Sequence, residues 1–431
     1  MTNTGRGAAA AACVLVASLT QAGGDDQDLR ALAGRAVSAN AAEAGDARAR
    51  LRAAGPRGLD ALFDLHSAAL AEPRTRDERH ERVHAAADAV AAQRHAAAAH
   101  LYWYTDLEQA KARARETGRP ILSLRLLGRL DEELSCANSR FFRTVLYANH
   151  GVAEALRQRF VLHWSSERPA PRVTVDFGDG RRLEGTVTGN SIHYVLDAEG
   201  RPVDALPGLY GPRAFLEGLT HAEAAVAALA PLAGVEREAA RRRHHRERLA
   251  ELGRRWRQDV KRAGLLAPSL DALAAAPAAV AAEPALRAPD ADRLALAKSL
   301  VERPLLRTVL PPSAVATVAG ELLWSSLAAL HPEALDEGGL RRLREDGVDA
   351  ARQSATVAAF QDTVSEDTVR NEYLLHYRLH RWLAEGPAPE LQELNARVYA
   401  ELFLTPRSDP WLGLVAPNVY TGLRVSSAAS N

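Results

Sequence analysis

The chain has 431 residues, with 54 basic side chains against 54 acidic ones and a formal net charge of +0, so it carries no general electrostatic pull toward nucleic acid. That length allows two or three separate cores. Its cysteines are Cys13 and Cys136, which excludes a disulfide-stapled scaffold.

The N-terminus predicts export. Arg6 gives a short positive region, residues 8–19 are small and apolar, and Thr20-Gln21-Ala22 ahead of Gly23-Gly24 is a small-residue cleavage site, so residues 1–22 are expected to be a signal peptide. The destination is periplasmic or extracellular. A lipoprotein with a lipid on Cys13 is the alternative, but the leucine expected three residues upstream is missing. No other stretch approaches the length of an apolar membrane span, so no transmembrane segment is expected beyond the signal. After cleavage Cys136 would be the sole thiol, with no internal disulfide.

Residues 26–100 are expected to form a helical N-terminal region. Helix-forming residues fill 28–42, 58–70 and 76–102, and Gly55-Pro56 and Pro73 punctuate them. The small side chains of Ala91, Ala92, Ala98 and Ala99 permit close helix packing, and His95 and His100 are expected at solvent or helix edges with no ligand role.

From residue 101 to 227 the period changes. An amphipathic helix over 106–117 ends at Gly118-Arg119-Pro120, and the apolar run 121–126 predicts a strand. The segment Cys136-Ala137-Asn138-Ser139 follows, then a helix over 152–158 and a strand over 160–164. After a charged excursion come a strand over 192–197, a turn at 198–201, a weaker strand over 202–205 and a closing helix over 212–227. His163 and His193 are interior strand residues by pattern. No G-x-G-x-x-G follows any of these strands, so a dinucleotide-binding unit is not indicated and no cofactor is expected.

In order and spacing, Trp103, residues 107–120, Cys136 to Ser139, residues 141–161 and residues 191–203 resemble an exported thioredoxin-like domain. The resemblance implies an α/β thioredoxin-like sandwich, here flanked by mainly α-helical N- and C-terminal regions. It also implies that the site lies around Cys136, Ser139 and Ser191. Two departures matter. The motif is C-x-x-S, so a thiol at Cys136 has no second thiol to resolve it. Ser191 stands where the family has a cis-proline, and a cis bond before a non-proline residue costs about 2.5–4 kcal/mol, so Ser191 is expected to be trans. The acidic residues Asp131, Glu132 and Glu133 just ahead of Cys136 would oppose thiolate formation.

Two readings of Cys136 follow. In one it is a small buried hydrophobe in a site that has lost its chemistry, and the protein is a non-catalytic scaffold for a protein partner. In the other it caps a helix, takes a hydrogen bond from Ser139, and serves monothiol exchange or oxidant sensing.

Residues 228–431 are expected to form a helical C-terminal domain, for which no family resemblance is found. The run 236–262 contains Arg241-Arg242-Arg243-His244-His245-Arg246 with acidic residues scattered through it, and reads as a solvated helix. The Ala/Pro-rich stretch 268–289 reads as loops, and 294–301, 314–330, 340–361 and 366–384 as helices. Glu372, His376 and His380 lie four apart on one helix face; they would supply part of a metal site if a further ligand such as Glu401 or Asp409 came within reach, and the alternative is that Glu372 faces water or a neighbouring arginine while Tyr373, Leu374, Tyr377 and Trp382 pack. The proline-rich segment 402–422 is expected to wall a pocket or to lock the last helix to the core.

Overall fold

The computed structural model describes residues 25–72, 77–186, 189–275, 321–345 and 350–409. The expected signal segment, the expected helix over 294–301, most of the 268–289 stretch and the residues from Pro410 onward lie outside the described residues. The chain divides into two compact units, one ending at Trp103 and one beginning at Tyr104.

The first unit is helical. The stretch 28–42, expected as one helix, is instead a helix over 25–35 (α1), a turn, and α2 (Ala41–Ala53), which starts where Asn40 caps it, its side chain accepting from the Ala42 and Glu43 amides. The next helix, α3 (Pro56–Ala71), crosses α2 so closely that a Cβ on Gly58 would lie 2.0 Å from the Leu51 carbonyl oxygen, and only glycine fits there. The following helix, α4 (Glu78–Ala91), ends well short of the expected Tyr102, since Ala92 turns left-handed and Asp88 bonds to the Ala96 amide and to Arg94. His95 is buried rather than at an edge. Leu51, Leu59, Leu62, Val83 and Val90 form the core. Trp103 closes this unit, its indole donating to Gln93 at 2.6 Å and its amide to the Ala91 carbonyl.

The second unit is mixed α/β. Helix α5 (Leu107–Thr117) starts where Asp106 caps it and ends on left-handed Gly118. Strand β1 (Ile121–Leu127) is buried along its whole length. A loop leads to the short helix α6 (Ala137–Phe141), which widens into a π-helical turn over Phe142–Leu146, and α7 (His150–Arg159) leads to β2 (Val161–Arg168). The charged excursion holds a hairpin missed in the sequence, β3 (Arg172–Asp176) and β4 (Arg182–Thr186), paired only with each other. Strands β5 (Ser191–Leu196) and β6 (Pro202–Pro207) complete the main sheet. Its order is β2-β1-β5-β6, with β1 parallel to β2 and antiparallel to β5, and β5 antiparallel to β6.

Helices then cover the sheet. After α8 (Pro212–Leu229) comes the long α9 (Gly234–Arg262), then α10 (Leu270–Ala275), α11 (Glu321–Leu330), α12 (Glu337–Glu345) and α13 (Ala350–Arg370). From α13 the backbone runs through a π-helical segment, Asn371–His376, into α14 (Tyr377–Glu385). The last helix, α15 (Leu391–Arg397), widens over Val398–Leu402.

The expectation for α9 is corrected. Arg241, His245, Arg248, Leu252, Trp256, Asp259 and Val260 form a buried stripe at helical spacing. Its polar members are buried because they are bonded: Arg241 donates to Glu238 and to the Leu383 and Gly386 carbonyls, and Asp259 accepts from Tyr373. The apolar part joins Trp324, Leu327, Val369 and Tyr373 in one core. No helix among the described residues is long and apolar enough to cross a membrane.

Candidate functional site

Two places in the second unit gather chemistry-bearing side chains. The first is the end of β1. Gly128, at φ +75°, lets the chain leave the strand, and a Cβ there would sit 3.1 Å from Ser135 Cα and 3.3 Å from Ala170 Cβ. The loop is gathered inward by Arg143, whose side chain is fully buried. Its Nη1 donates to the Glu132 carbonyl at 2.6 Å, to Ser135 Oγ at 2.8 Å and to the Leu130 carbonyl at 3.4 Å, and its Nη2 donates to the Glu133 carbonyl at 2.7 Å. The loop's acidic side chains do not converge on the thiol unopposed, since Arg129 binds Asp131 through two contacts of 2.9 and 2.7 Å and Arg172 approaches Glu132.

Cys136 lies at the end of that loop, at the N-cap of α6, with 0% exposure. Ser139 Oγ donates to the Cys136 carbonyl at 3.1 Å and to Ser135 Oγ, so its proton serves the backbone and the loop. Ser191, with a trans bond, sits at the start of β5 and accepts from Asn138 Nδ2 at 2.8 Å. The three residues singled out in the sequence are therefore brought to one place, joined through the motif's own side chains and its loop.

The two strand histidines are buried as expected. Ser123 Oγ lies 2.8 Å from His163 Nδ1, and the Tyr147 hydroxyl lies 2.6 Å from His193 Nε2. Burial, and for His163 also the Arg125 charge, pushes both imidazoles down to about 3. A neutral imidazole gives a thiolate no positive charge to pair with. Burial first, and Cys136 second, hold the Tyr147 phenol well above its ordinary range.

The second place lies under the helices, where β6, α9 and the π-helical segment with α14 meet. Asp204, in the middle of a fully buried strand, is ringed by imidazoles: His244 Nε2 is 3.4 Å from its Oδ2, and His376 Nε2 and His380 Nε2 are 3.5 and 3.9 Å from its Oδ1. His245 Nδ1 is 2.9 Å from His380 Nδ1. Glu372 accepts from His376 Nδ1 at 2.9 Å and faces Arg248 at 3.7 Å and Arg255 at 3.8 Å. The π-helical widening changes the angle at which residues 371–376 meet the rest of the helix, a device common at functional sites.

Electrostatics divide the imidazoles. Burial alone would lower His376, but the Glu372 and Asp204 carboxylates outweigh it and raise it to about 9. Burial would raise Glu372, yet His376, Arg248 and Arg255 bring it to about 2. His245 is held down to about 3 by burial, and His380 well below its ordinary value by burial and the charge on His376. Glu372 also borders a small cleft of about 30 Å³ with Arg213, His221, Arg248, Arg255 and His331, room for a water or a small ion.

Sequence reasoning found Glu372, His376 and His380 on one face but not their companions. Glu401 pairs with Arg397 and Asp409 presents its backbone carbonyl to Arg168, so neither joins the cluster; Asp204 and His245 do. Glu372 faces arginines, as one of the two expectations had it. The segment after α15 is tied in as far as it is described by Asn190, which donates to Thr405 at 2.9 Å, and α15 itself is held to β5 by Tyr194, which donates to Asn395 at 3.2 Å.

Among known proteins, no family model, no curated protein and no solved structure matches the chain. The class defined by the fold is a mixed α/β unit with a small mixed sheet and helical flanks.

Proposed function

We propose that residues 101–227 form a thioredoxin-like domain that has lost its dithiol chemistry, and that the protein is an exported, non-catalytic scaffold for a protein partner. The sheet order β2-β1-β5-β6, the parallel β1–β2 pair joined through α7, the antiparallel β5–β6 hairpin and the closing α8 support the thioredoxin-like reading. The export part rests on residues 1–22, which lie outside the described residues.

The observation that carries the scaffold reading is the complete burial of Cys136 behind a loop held by Arg143. Thiol exchange requires in-line approach of a second sulfur, and a thiol with 0% exposure offers no path without loop opening. Ser139 and Asn138 are engaged with Ser135, the Cys136 carbonyl and Ser191, and the nearby imidazoles are neutral.

Incubation of the folded chain with glutathione disulfide, followed by intact-mass measurement, tests the reading. The expected spectrum shows unmodified protein. A stoichiometric glutathione adduct formed on native protein, and lost in Cys136→Ala, would replace the scaffold with the monothiol enzyme or sensor.

A further inference from the structure

We propose that Asp204, His245 and His380 bind a single divalent transition-metal ion of the zinc class, with His376 at the fourth position. This goes beyond the scaffold reading and stands without it, since none of these residues touches the Cys136 loop in the bonds described above.

The donors come from β6, α9 and α14, and one ligand atom from each of Asp204, His245 and His380 lies within 4.8 Å of the other two. All three residues are buried. Their spacing is poor for hydrogen bonding and good for coordination. His376 and His380 approach Asp204 Oδ1 at 3.5 and 3.9 Å, and His244 approaches Oδ2 at 3.4 Å, all at or beyond the outer edge of a hydrogen bond. Four ligands at about 2.0–2.1 Å from a tetrahedral ion stand about 3.4 Å from one another. The 2.9 Å contact between His245 and His380 joins their Nδ1 atoms, which leaves the Nε2 atoms as the nitrogens available to an ion.

The second observation is the unsatisfied nitrogens. His380 Nε2 and His245 Nε2 are buried without a hydrogen-bond partner, on residues with 0% exposure. A buried imidazole nitrogen left in that state is costly, and coordination is one of the few ways to satisfy it. His380 Nε2 is also the atom that faces Asp204. The surroundings are those of a ligand set: Glu372 holds His376 Nδ1 at 2.9 Å, which turns Nε2 toward Asp204, the arrangement by which a carboxylate fixes the tautomer of a metal-binding histidine. Imidazole and carboxylate donors without thiolate suit zinc, cobalt or nickel more than calcium or magnesium.

The test is cobalt(II) titration of chelator-stripped full-length protein at neutral pH, followed by visible absorption and by metal analysis after desalting. The expected result is one cobalt per chain, a visible spectrum of tetrahedral intensity, and displacement by zinc. Asp204→Asn, which keeps the shape of the buried side chain, and His380→Gln are each expected to weaken binding at least tenfold, in the range typical of losing a ligand-shell group. His150→Ala, at an exposed histidine whose side chain is 86% accessible, should leave binding unchanged. Retention of less than one-tenth equivalent by the wild type, an octahedral spectrum, or binding untouched by Asp204→Asn would overturn the site and leave the cluster as a proton-sharing network. Should a variant fail to fold, the wild-type stoichiometry and spectrum decide the matter alone.

Discussion

Replacing Arg143 by methionine keeps most of the aliphatic stem and removes the guanidinium that gathers the loop ahead of Cys136. Four acceptors lose their donor. Ser135 Oγ keeps Ser139 as a donor, the Glu132 and Glu133 carbonyls are part-buried and can rehydrate at a net loss of about 0.5–1.5 kcal/mol each, and the Leu130 carbonyl is buried and left unsatisfied at about 1–3 kcal/mol. The loss is about 2–6 kcal/mol, partly offset because a buried charge no longer has to be desolvated. A net of about 3 kcal/mol, released chiefly by local opening of the loop, corresponds to roughly a hundredfold rise in the open population. The assay is native-state alkylation of Cys136 by a small reagent, with the pseudo-first-order rate compared between wild type and Arg143→Met alongside urea denaturation of both. The expected result is a rate increase of about a hundredfold. Equal rates at equal stability would refute the claim that this arginine keeps the thiol covered.

The buried histidines set a pH dependence. His163 and His193 titrate near 3 in the folded chain and near 6.5 when unfolded, so the unfolded state binds protons that the folded state refuses. Their stabilising contribution is complete above about 6.5 and falls as pH drops toward 3, at up to about 1.4 kcal/mol per pH unit for each group. His193→Gln should therefore reduce the loss of stability between pH 7 and 5.5 by about 1 kcal/mol, measured from urea midpoints; parallel profiles would contradict the assignment. Trp256→Ala removes a side chain with 2% exposure that packs on Trp324 and Tyr373 and donates to the Pro268 carbonyl at 2.8 Å, and should cost about 3–5 kcal/mol by urea unfolding. Gly128→Ala forces a side chain into a left-handed position 3.1 Å from Ser135 Cα and should lower stability by more than about 1 kcal/mol, with faster Cys136 alkylation as the local readout.

The parts of the fold that were legible are those where local chemistry and tertiary packing agree. Helix α5 announces itself through Asp106 and Gly118, and β1 and β5 through mainly apolar runs that suit strands buried on both faces. The β3–β4 hairpin was hidden because its alternation is short and one-sided: Val173 and Val175 are half-buried between exposed Arg172, Thr174 and Asp176, while β4 carries Arg182, Leu183 and Glu184 all exposed, too little signal to stand out from the charged residues around it. The stripe on α9 was misread for the opposite reason. Arg241, His245, Arg248 and Asp259 sit at core spacing, but charge at those positions reads as solvent until the partners that bond them are known.

The site around Cys136 was legible as a set of residues but not as a closed one, since nothing local marks Arg143, seven residues beyond the cysteine, as the group that holds the loop. In the helical cluster the i, i+4, i+8 spacing exposed Glu372, His376 and His380. Asp204 carried no local signal, because a single aspartate in a short apolar strand looks like a strand end, and its meaning comes from elements forty or more residues away. His244 and His245, set in a run of arginines, were masked by the charge around them.

The most direct test of the scaffold account is the alkylation rate of Cys136 in the wild-type chain as a function of denaturant, beside a global probe such as far-ultraviolet circular dichroism. The account predicts a thiol protected in buffer, reacting slowly through rare opening of its loop and becoming fully reactive only across the global unfolding curve, as a residue with 0% exposure in the sheet-bearing unit should. Fast, denaturant-independent modification in buffer, with a rate that titrates below about pH 7, would mean an exposed and activated thiolate, and would contradict the account.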